Sequence, residues 1–334
     1  MNKLLTISIA AYNVEKYLNK LLDSIIETNT MEKIEVLVVN DGSKDKTAEI
    51  AEKYHNKFSD SIFLINKENG GHGSTINKGI EQATGKYFKV IDGDDWVNAE
   101  ALRKIINILE RENSDVLVCD YEEHYIDSGI IKRKHYEKLP EQKQVTFNQA
   151  CKCLDRLVFH AVIFRTDLLK QLDVKIDEHC FYVDTEYVLY PTPYLKTLTY
   201  YPFALYCYRL GDINQSMSIS SLQKNVNQHI RVSKNMLLYC SHYYGQCEEN
   251  VKKYILSSMV LLYNKTYEIL LSFPCENIYL KQIEEFDQYV KKVFPEAYNA
   301  MPAKTIQIMR KNVKLFYPLV WLWMRIKEKH RVEK

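Results

Sequence analysis

The sequence predicts an α/β fold, in which a mostly parallel sheet is covered by helices on both faces. Over about the first 120 residues, short apolar strands alternate with helices. These strands are continuous apolar runs, which is typical of parallel strands buried on both faces. Because ligands collect at the carboxyl ends of such strands, polar clusters there predict a single site. Four clusters follow predicted strands: residues 11–13, 40–43, 69–74 and 92–95.

The elements follow one another in a regular order. Apolar residues recur at helical spacing between Leu18 and Ile25, and a turn at residues 40–43 leads into the second helix. The predicted strands are 4–10, 34–39, 62–65, 87–91 and 116–121, and the predicted helices between them are 15–27, 45–54, 74–83 and 99–112.

The second half of the chain is less regular. Residues 122–145 are polar and rich in turn-forming residues, which predicts a hairpin or a flexible excursion. A strand over 160–164, a short helix over 166–172, a helix opening at Asp184 and a strand over 198–208 follow. From Leu222 to Lys292 the pattern is helical, with breaks at Gly245 and Pro274.

Composition excludes several classes of protein. The net charge is only +2, and residues 302–334 hold nine Lys or Arg against two Glu, so the remainder is acidic. This distribution argues against a nucleic-acid-binding body and indicates a separate role for a basic tail. Eight cysteines show no Cys-x-x-Cys spacing, and no signal peptide is visible. We therefore expect free thiols and a cytoplasmic location.

The most informative motif is the carboxylate cluster that ends the strand 87–91. Asp92, Asp94 and Asp95 are separated only by Gly93. Three like charges this close repel one another, and a hard divalent cation relieves the repulsion. The alternative is a solvated turn in which Asp94 or Asp95 caps the helix 99–112.

The other clusters each allow two interpretations. The loop 69–74 could hold phosphate on its backbone amides, and His72 within it could contact a phosphate or an acceptor, or be an exposed loop residue. Asp41 could bind a nucleobase edge or cap the next turn. Tyr12 could stack on a base or pack on its own helix. Asp184, near Glu186, could be a helix N-cap or the base that deprotonates a hydroxyl acceptor.

Six motifs, taken in order, resemble those of family 2 glycosyltransferases. The resemblance is specific over residues 4–97 and looser to about residue 220, where it includes Arg209 and residues 215–218. It implies a GT-A fold, a nucleotide-diphosphate sugar donor with UDP-sugar favoured, a Mn²⁺ or Mg²⁺ cofactor, and inversion at the anomeric carbon. The motifs are residues 9–13, 39–43, 69–71, 77–80, 83–87 and 91–95.

The resemblance also implies roles for individual residues. Tyr12 would stack on the base and Asp41 would bind it, Asp94 with Asp92 would hold the metal, and Asp184 would be the catalytic base. The implied donor-binding residues are Ala10, Ala11, Tyr12, Asn13, Asp41, Gly70, Asn77, Asp92 and Gly93. The acceptor-side candidates are Asp95, Trp96, His72, Glu186 and Arg209.

The chain departs from the family pattern at three places. Ala10-Ala11 stands where proline is usual, and Ile76 stands where arginine is common, which removes a diphosphate contact. Val183 replaces the acidic neighbour of Asp184.

The expected organisation is a GT-A domain over residues 1–220, a helical region over 221–300 and a tail over 301–334. Within the GT-A domain, residues 1–97 would bind the nucleotide sugar and residues 98–220 the acceptor. The expected function is transfer of a sugar to a saccharide, lipid-linked acceptor in cell-surface polysaccharide synthesis. The alternatives are a nucleotidyltransferase and a catalytically idle sugar-nucleotide-binding or assembly subunit.

The tail carries a ten-residue apolar run from Leu315 to Met324, too short to span a bilayer. Pro318 is expected in the first turn of a helix, and Trp321 and Trp323 suit the headgroup boundary. One interpretation is a helix docked on the protein. The other is a peripheral anchor on the inner face of the membrane. The flanking basic residues are Lys304, Arg310, Lys311, Lys314, Arg325, Lys327, Lys329 and Arg331.

Overall fold

A computed structural model describes residues 3–211 and 219–332. It divides into two compact units, Met1–Ile213 and Asn214–Lys334. The first unit contains all ten strands of the described chain: β1 Leu5–Ala11, β2 Ile34–Asn40, β3 Ile62–Asn66, β4 Tyr87–Asp92, β5 Trp96–Val97, β6 Val116–Tyr125, β7 Ile130–Lys134, β8 Gln144–Thr146, β9 Val162–Arg165 and β10 Thr197–Leu210. Its helices are α1 Leu18–Ile26, α2 Thr47–Lys57, α3 His72–Gln82, α4 Ala99–Leu109, α5 Phe147–Ala150, α6 Thr166–Lys170 and α7 Asp184–Leu189.

The strands form one sheet in the order β3-β2-β1-β4-β9-β6-β10-β5, with β7 paired to β6 and β8 paired to β10. The strands β3, β2, β1 and β4 are parallel. Strand β9 runs antiparallel between β4 and β6, so β6 again points the same way as β4. The predicted α/β fold is confirmed, and the segment after residue 121 is the hairpin of β6 and β7.

Register brings the predicted clusters to one edge. Ala11 at the end of β1 lies beside Asn40 of β2, and Ala10 lies beside Asp92 of β4. The core beneath is the predicted one: Leu18, Leu21 and Ile25 of α1 are buried. Each such side chain contributes roughly 1.5–3 kcal/mol by burial. The packed sheet therefore gives the polar strand ends a rigid base.

The second unit is helical. Its helices are α8 Ile219–Lys224, α9 Val226–Tyr244, α10 Glu249–Leu271, α11 Asn277–Val293, α12 Pro295–Asn299, α13 Lys304–Lys311 and α14 Val313–Val332. Arg310 on α13 donates to Asp287 on α11 over 2.7 Å, and both side chains are about nine-tenths buried. Arg310 therefore joins two helices and does not belong to the basic flank expected for the tail.

Helix α14 is docked by one face only. Tyr317 and Val320 are buried, and the Trp321 indole donates to the Phe273 carbonyl over 2.7 Å. Arg325 donates to the Ser272 carbonyl, so it too is anchored within the unit. The helix begins at Val313, which puts Pro318 inside it and not in the first turn as expected.

The other face of α14 is an exposed apolar stripe. Its members recur at helical spacing and are each between 47% and 61% exposed: Leu315, Leu319, Leu322, Trp323 and Ile326. Among the described residues, no helix is long and apolar enough to pass through a bilayer.

Candidate active site

The carboxylate cluster lies where β4 ends. Asp92 is the last residue of β4, and the Gly93 amide donates to the Ala10 carbonyl over 3.0 Å. A Cβ at Gly93 would lie 2.9 Å from both that oxygen and a Val14 methyl group. Glycine is therefore required for the turn to pack against β1, which makes the role of Gly93 structural.

Asp92 is paired with His72, the first residue of α3. The imidazole Nε2 lies 3.0 Å from Asp92 Oδ1. Burial alone would lower the pKa of His72, but the charge of Asp92, with smaller contributions from Asp184 and Asp94, raises it. Because the imidazole contacts Asp92 and is only about 30% exposed, the interpretation of His72 as an exposed loop residue is wrong.

Asp94 is an exposed residue of the turn that follows β4. Withdrawal from bulk water by the surrounding protein, followed by repulsion from Asp92, raises the pKa of Asp94 to about 6. A divalent cation would relieve this repulsion, because carboxylate oxygens are the preferred ligands of Mg²⁺ and Mn²⁺. The donor set of Asp92 and Asp94 therefore fits such an ion.

Asp184 is far from the strand-end carboxylates in sequence, but its charge acts on the same His72 imidazole as those of Asp92 and Asp94. It is exposed at the start of α7, where Val183 is the N-cap residue and no side chain caps the helix. The interpretation of Asp184 as an N-cap is therefore wrong. Burial and the charges of Asp95, Asp92, Asp94 and Asp184 raise the pKa of the Tyr208 phenol. The Tyr208 phenol is thus affected by the charge of Asp184 and by the charges of the strand-end carboxylates.

Asp95 was expected on the acceptor side, and the structure corrects this. Its side chain is 2% exposed, and it accepts hydrogen bonds from the Tyr206 hydroxyl and from the Arg209 amide. Burial, then repulsion from Asp92 and Asp94, raises its pKa well above the usual range. Asp95 fastens β10 to the end of β4 and is not available to a substrate.

Asp41 also has a different position from the one expected of a base-binding residue. Its carboxylate is buried and accepts from Lys67 Nζ over 2.6 Å, from the Gly70 amide over 2.9 Å and from the Gly71 amide over 2.8 Å. Asp41 therefore organises the loop 69–74 and caps no helix. The same contacts occupy the Gly70 and Gly71 amides, which corrects the expected phosphate cradle.

Tyr12 remains well placed for a planar ligand. It follows the buried end of β1, and 49% of its surface is exposed. Asn13 adopts a left-handed conformation with φ of 54°. Its backbone amide donates to Ser43 Oγ, and its side-chain Oδ1 accepts from the Lys44 backbone amide. These contacts fix the loop that carries Tyr12, and they give Asn13 a structural role.

Asn77 and Glu186 lie away from the carboxylates. The Asn77 amide group exchanges two hydrogen bonds with the Ile176 backbone. Glu186 is fully buried and accepts from the Asp177 amide and the Tyr190 hydroxyl. Both line a cavity of about 320 Å³ whose walls do not include the cluster of Asp92 and Asp94. The donor role expected of Asn77 and the acceptor role expected of Glu186 are therefore not supported by their contacts.

The position of the family's missing arginine is a core position here. Ile76 is fully buried in α3, whereas His72 lies one helical turn earlier and contacts Asp92. A second cation, Arg209, donates through Nε to the Asp94 carbonyl over 3.0 Å and lies 4.5 Å from the Tyr17 ring centre. Trp96 lies beside Arg209, and its own ring is covered by Lys20 Nζ at 3.0 Å. The accompanying residues 215–218 lie outside the described residues.

Several residues that the structure places in the site were not identified from the sequence. The His160 ring stacks on Tyr208 at 4.2 Å, and burial lowers its pKa to about 4. Lys89 is almost completely buried and donates to the His160 carbonyl over 2.9 Å, and burial lowers its pKa to about 8. A lysine within the apolar run of β4 was a visible signal, whereas His160 and the tyrosines of β10 had none.

Comparison with known proteins identifies the family. The model of the family described as Glycosyl transferase family 2 matches residues 6–172, half of the chain. The chain belongs to glycosyl transferase family 2.

Individual glycosyltransferases resemble this family member over different lengths. It is 29% identical over 218 residues to Glycosyltransferase GlyA of Streptococcus pneumoniae, a match that spans 62% of this chain and 30% of GlyA. Its fold matches the crystal structure of Staphylococcus aureus TarS in complex with UDP-GlcNAc, with a TM-score of 0.69 and 20% identity, over 99% of this chain and 92% of the other.

A more distant fold match is the mannosyltransferase PcManGT from Pyrobaculum calidifontis in complex with GDP-Man and Mn²⁺. The TM-score is 0.50 and the identity 13%, over 97% of this chain and 88% of the other. These likenesses confirm the GT-A fold with its C-terminal helical region, as the resemblance implied.

Proposed function

We propose that this family 2 glycosyltransferase transfers a sugar, with inversion, from a UDP-sugar to a hydroxyl of a saccharide acceptor. The observation that carries the proposal is that His72 contacts Asp92 at the carboxyl end of β4, while the charges of Asp94 and Asp184 also raise the pKa of this imidazole. The similarity to TarS, a poly(ribitol-phosphate) β-N-acetylglucosaminyltransferase of Staphylococcus aureus, supports a cell-surface polymer as product and UDP-GlcNAc as the first donor to test.

Asp94, together with Asp92, would hold Mn²⁺ or Mg²⁺. When bound, such an ion stabilises the negative charge of a departing diphosphate. The exposed Tyr12 ring offers a stacking surface for the base of the donor. His72 contacts Asp92 and lies one helical turn before Ile76, the position where the family's arginine is absent.

Asp184 is the proposed general base. It is exposed at the start of α7, and its charge reaches His72 and Tyr208. In the proposed step, the Asp184 carboxylate takes the proton of the acceptor hydroxyl, and the hydroxyl oxygen of the acceptor attacks the anomeric carbon. The bond to the diphosphate breaks on the opposite face of the sugar, so the configuration inverts.

We also propose that the enzyme binds the inner face of the membrane through α14, which suits a lipid-linked acceptor. The apolar stripe of α14 is exposed while its opposite face is docked. Lys304, Lys311 and Lys314 flank it in sequence, and each basic residue near an anionic lipid surface contributes on the order of 1 kcal/mol. An amphipathic helix of this kind lies in the plane of the interface.

A panel of nucleotide sugars tests the reaction itself. The purified protein would be incubated with each donor, Mn²⁺ and a saccharide acceptor, and the nucleoside diphosphate released would be measured. We expect UDP release with at least one UDP-sugar, and little from the Asp184→Asn variant. Release of pyrophosphate in place of the nucleoside diphosphate would instead indicate nucleotidyl transfer. A folded protein that cleaves no donor in the panel would indicate an idle binding subunit.

A further inference from the structure

A second cavity, which none of the roles above uses, opens beside the hairpin of β6 and β7. Its volume is about 390 Å³. Tyr121 of β6 forms one wall, and the remaining walls come from the segment after β7 and from the turn after α5. The chemically distinctive lining residues are Tyr121, Lys134, His135, Lys138, Asp155 and Arg156.

This cavity is connected to the active site through a row of rings. The Tyr121 ring lies 5.3 Å from His160, and His160 stacks on Tyr208 at 4.2 Å. Tyr208 in turn senses the charges of Asp94 and Asp184. Because β6 and β4 point the same way, Tyr121 lies toward the carboxyl edge that carries Asp92. Two ring contacts therefore link one wall of the cavity to Tyr208 of the active site.

The lining carries more basic than acidic groups. Lys134, Lys138 and Arg156 line it together with Glu137 and Asp155, and Lys134 Nζ also lies 3.2 Å from Glu123 Oε2. A phosphate group carries negative charge and planar pairs of acceptor oxygens, which an arginine binds with two parallel hydrogen bonds.

One ion pair at the cavity is strongly exposed. Lys138 Nζ lies 3.2 Å from an Asp155 oxygen, but these side chains are 65% and 89% exposed. Exposed pairs of this kind contribute little to stability, so an incoming phosphate can replace the carboxylate. Arg156 is an exposed residue of the same lining as Tyr121, and its charge opposes the rise in the pKa of Tyr121 that burial causes.

The rim of the cavity is held by a buried anchor. His135 Nδ1 lies 2.9 Å from Asp120, which is fully buried. Asp120 also accepts from Arg133 over 2.8 Å and from the Tyr200 hydroxyl over 2.7 Å. A carboxylate with three partners fixes the segment after β7, so the basic groups are presented on a rigid support.

We propose that this cavity is an acceptor subsite that binds a phosphate group of an anionic acceptor while the acceptor hydroxyl lies near Asp184. The proposal rests on the proposed glycosyl transfer and specifies its acceptor class. A phosphodiester of a polyol-phosphate chain and the diphosphate of a lipid-linked sugar share this chemistry.

Two probes distinguish these sources: a glycerol-phosphate trimer and farnesyl diphosphate. Their binding to the full chain would be measured by calorimetry in chelator, so that no metal holds them at Asp94. The variants are Arg156→Glu combined with Lys138→Glu, and as a matched control Lys53→Glu combined with Lys57→Glu on α2, at the other end of the sheet. We expect the cavity variant to bind the probe with an affinity lower by about tenfold or more, because charge-assisted hydrogen bonds are lost. The control variant should bind the probe with the affinity of the unaltered protein.

The probe that binds identifies the source of the phosphate. Equal affinity in the cavity variant and the control, or failure of both probes to bind the unaltered protein, would overturn the proposal. Hydrolysis of the UDP-sugar without acceptor reports the donor site separately, and it should be unchanged in the cavity variant. Absence of donor hydrolysis in every variant would contradict the proposed function while the probe affinities still decide the subsite.

Discussion

Replacing Asp41 distinguishes a structural role from a donor-binding one. Its carboxylate accepts from Lys67 and from the Gly70 and Gly71 amides, and the Asp41 side chain is 3% exposed against 22% for Lys67. Asp41→Ala would leave the lysine and the buried Gly70 amide without their acceptor. Asp41→Asn keeps one acceptor oxygen but removes the charge.

The expected magnitudes follow from this burial. Removing one partner of a buried ion pair costs about 3–5 kcal/mol, and because Lys67 can partly rehydrate we expect Asp41→Ala to cost about 3 kcal/mol. For Asp41→Asn we expect a loss of about 1–2 kcal/mol, because a glycine amide can still donate to the remaining oxygen. Lys67→Met, which keeps the apolar stem, should cost less in the Asp41→Asn background than in the wild type.

Hydrogen exchange over residues 66–76 is the appropriate assay, because the protein has two compact units and global unfolding need not be two-state. Faster exchange of the Gly70 and Gly71 amides in both Asp41 variants is expected, with Glu49→Gln on the exposed part of α2 as the unaffected control. Unchanged exchange in Asp41→Asn, together with a large loss of donor affinity, would refute the structural role and restore base binding.

Three further predictions concern the base, the histidine and the tail. Asp184→Asn should lower turnover by roughly 10²–10⁴-fold with donor affinity retained. If Asp184→Asn kept the wild-type turnover while Glu186→Gln was inactive, the role of general base would belong to Glu186. Because the pKa of His72 is raised in the folded state, its pairing with Asp92 stabilises the protein at low pH, and this effect disappears as the pH rises through that pKa. The difference in unfolding free energy between the wild type and His72→Gln, measured in chelator, should therefore be larger at about pH 6 than at about pH 9. Leu319→Glu with Leu322→Glu should abolish flotation with anionic liposomes while donor hydrolysis persists; unchanged flotation, or concentration-dependent self-association of the wild type in place of flotation, would exclude this face as the lipid contact.

The fold could be predicted because apolar runs and helical spacing are local signals. The strand-end clusters at Tyr12, Asp41 and Asp92 were placed at one edge on the same basis, and register confirms it. Sequence did not show which of these side chains are satisfied internally. Asp95 meets Tyr206 and Asp41 meets Lys67 only after the chain folds, since these partners are far apart in sequence.

Lys89 and His160 matter to the site because burial lowers their pKa values. A single sequence does not specify the burial of polar residues in or beside apolar strands. The tail gave a similarly mixed outcome. Its sequence allowed either a docked helix or a membrane contact, and the structure combines docking through Trp321 with an exposed face that carries Leu319.

The central claim is that sugar transfer depends on a divalent cation held by the carboxylates of Asp94 and Asp92. Its most direct test is turnover of a responsive nucleotide sugar during titration with Mn²⁺, after dialysis against chelator. We expect the wild type to be inactive in chelator and to recover as Mn²⁺ is added, and a folded Asp94→Ala variant to stay inactive at every Mn²⁺ concentration. Full wild-type turnover in chelator, or recovery of Asp94→Ala to the wild-type rate, would contradict the account.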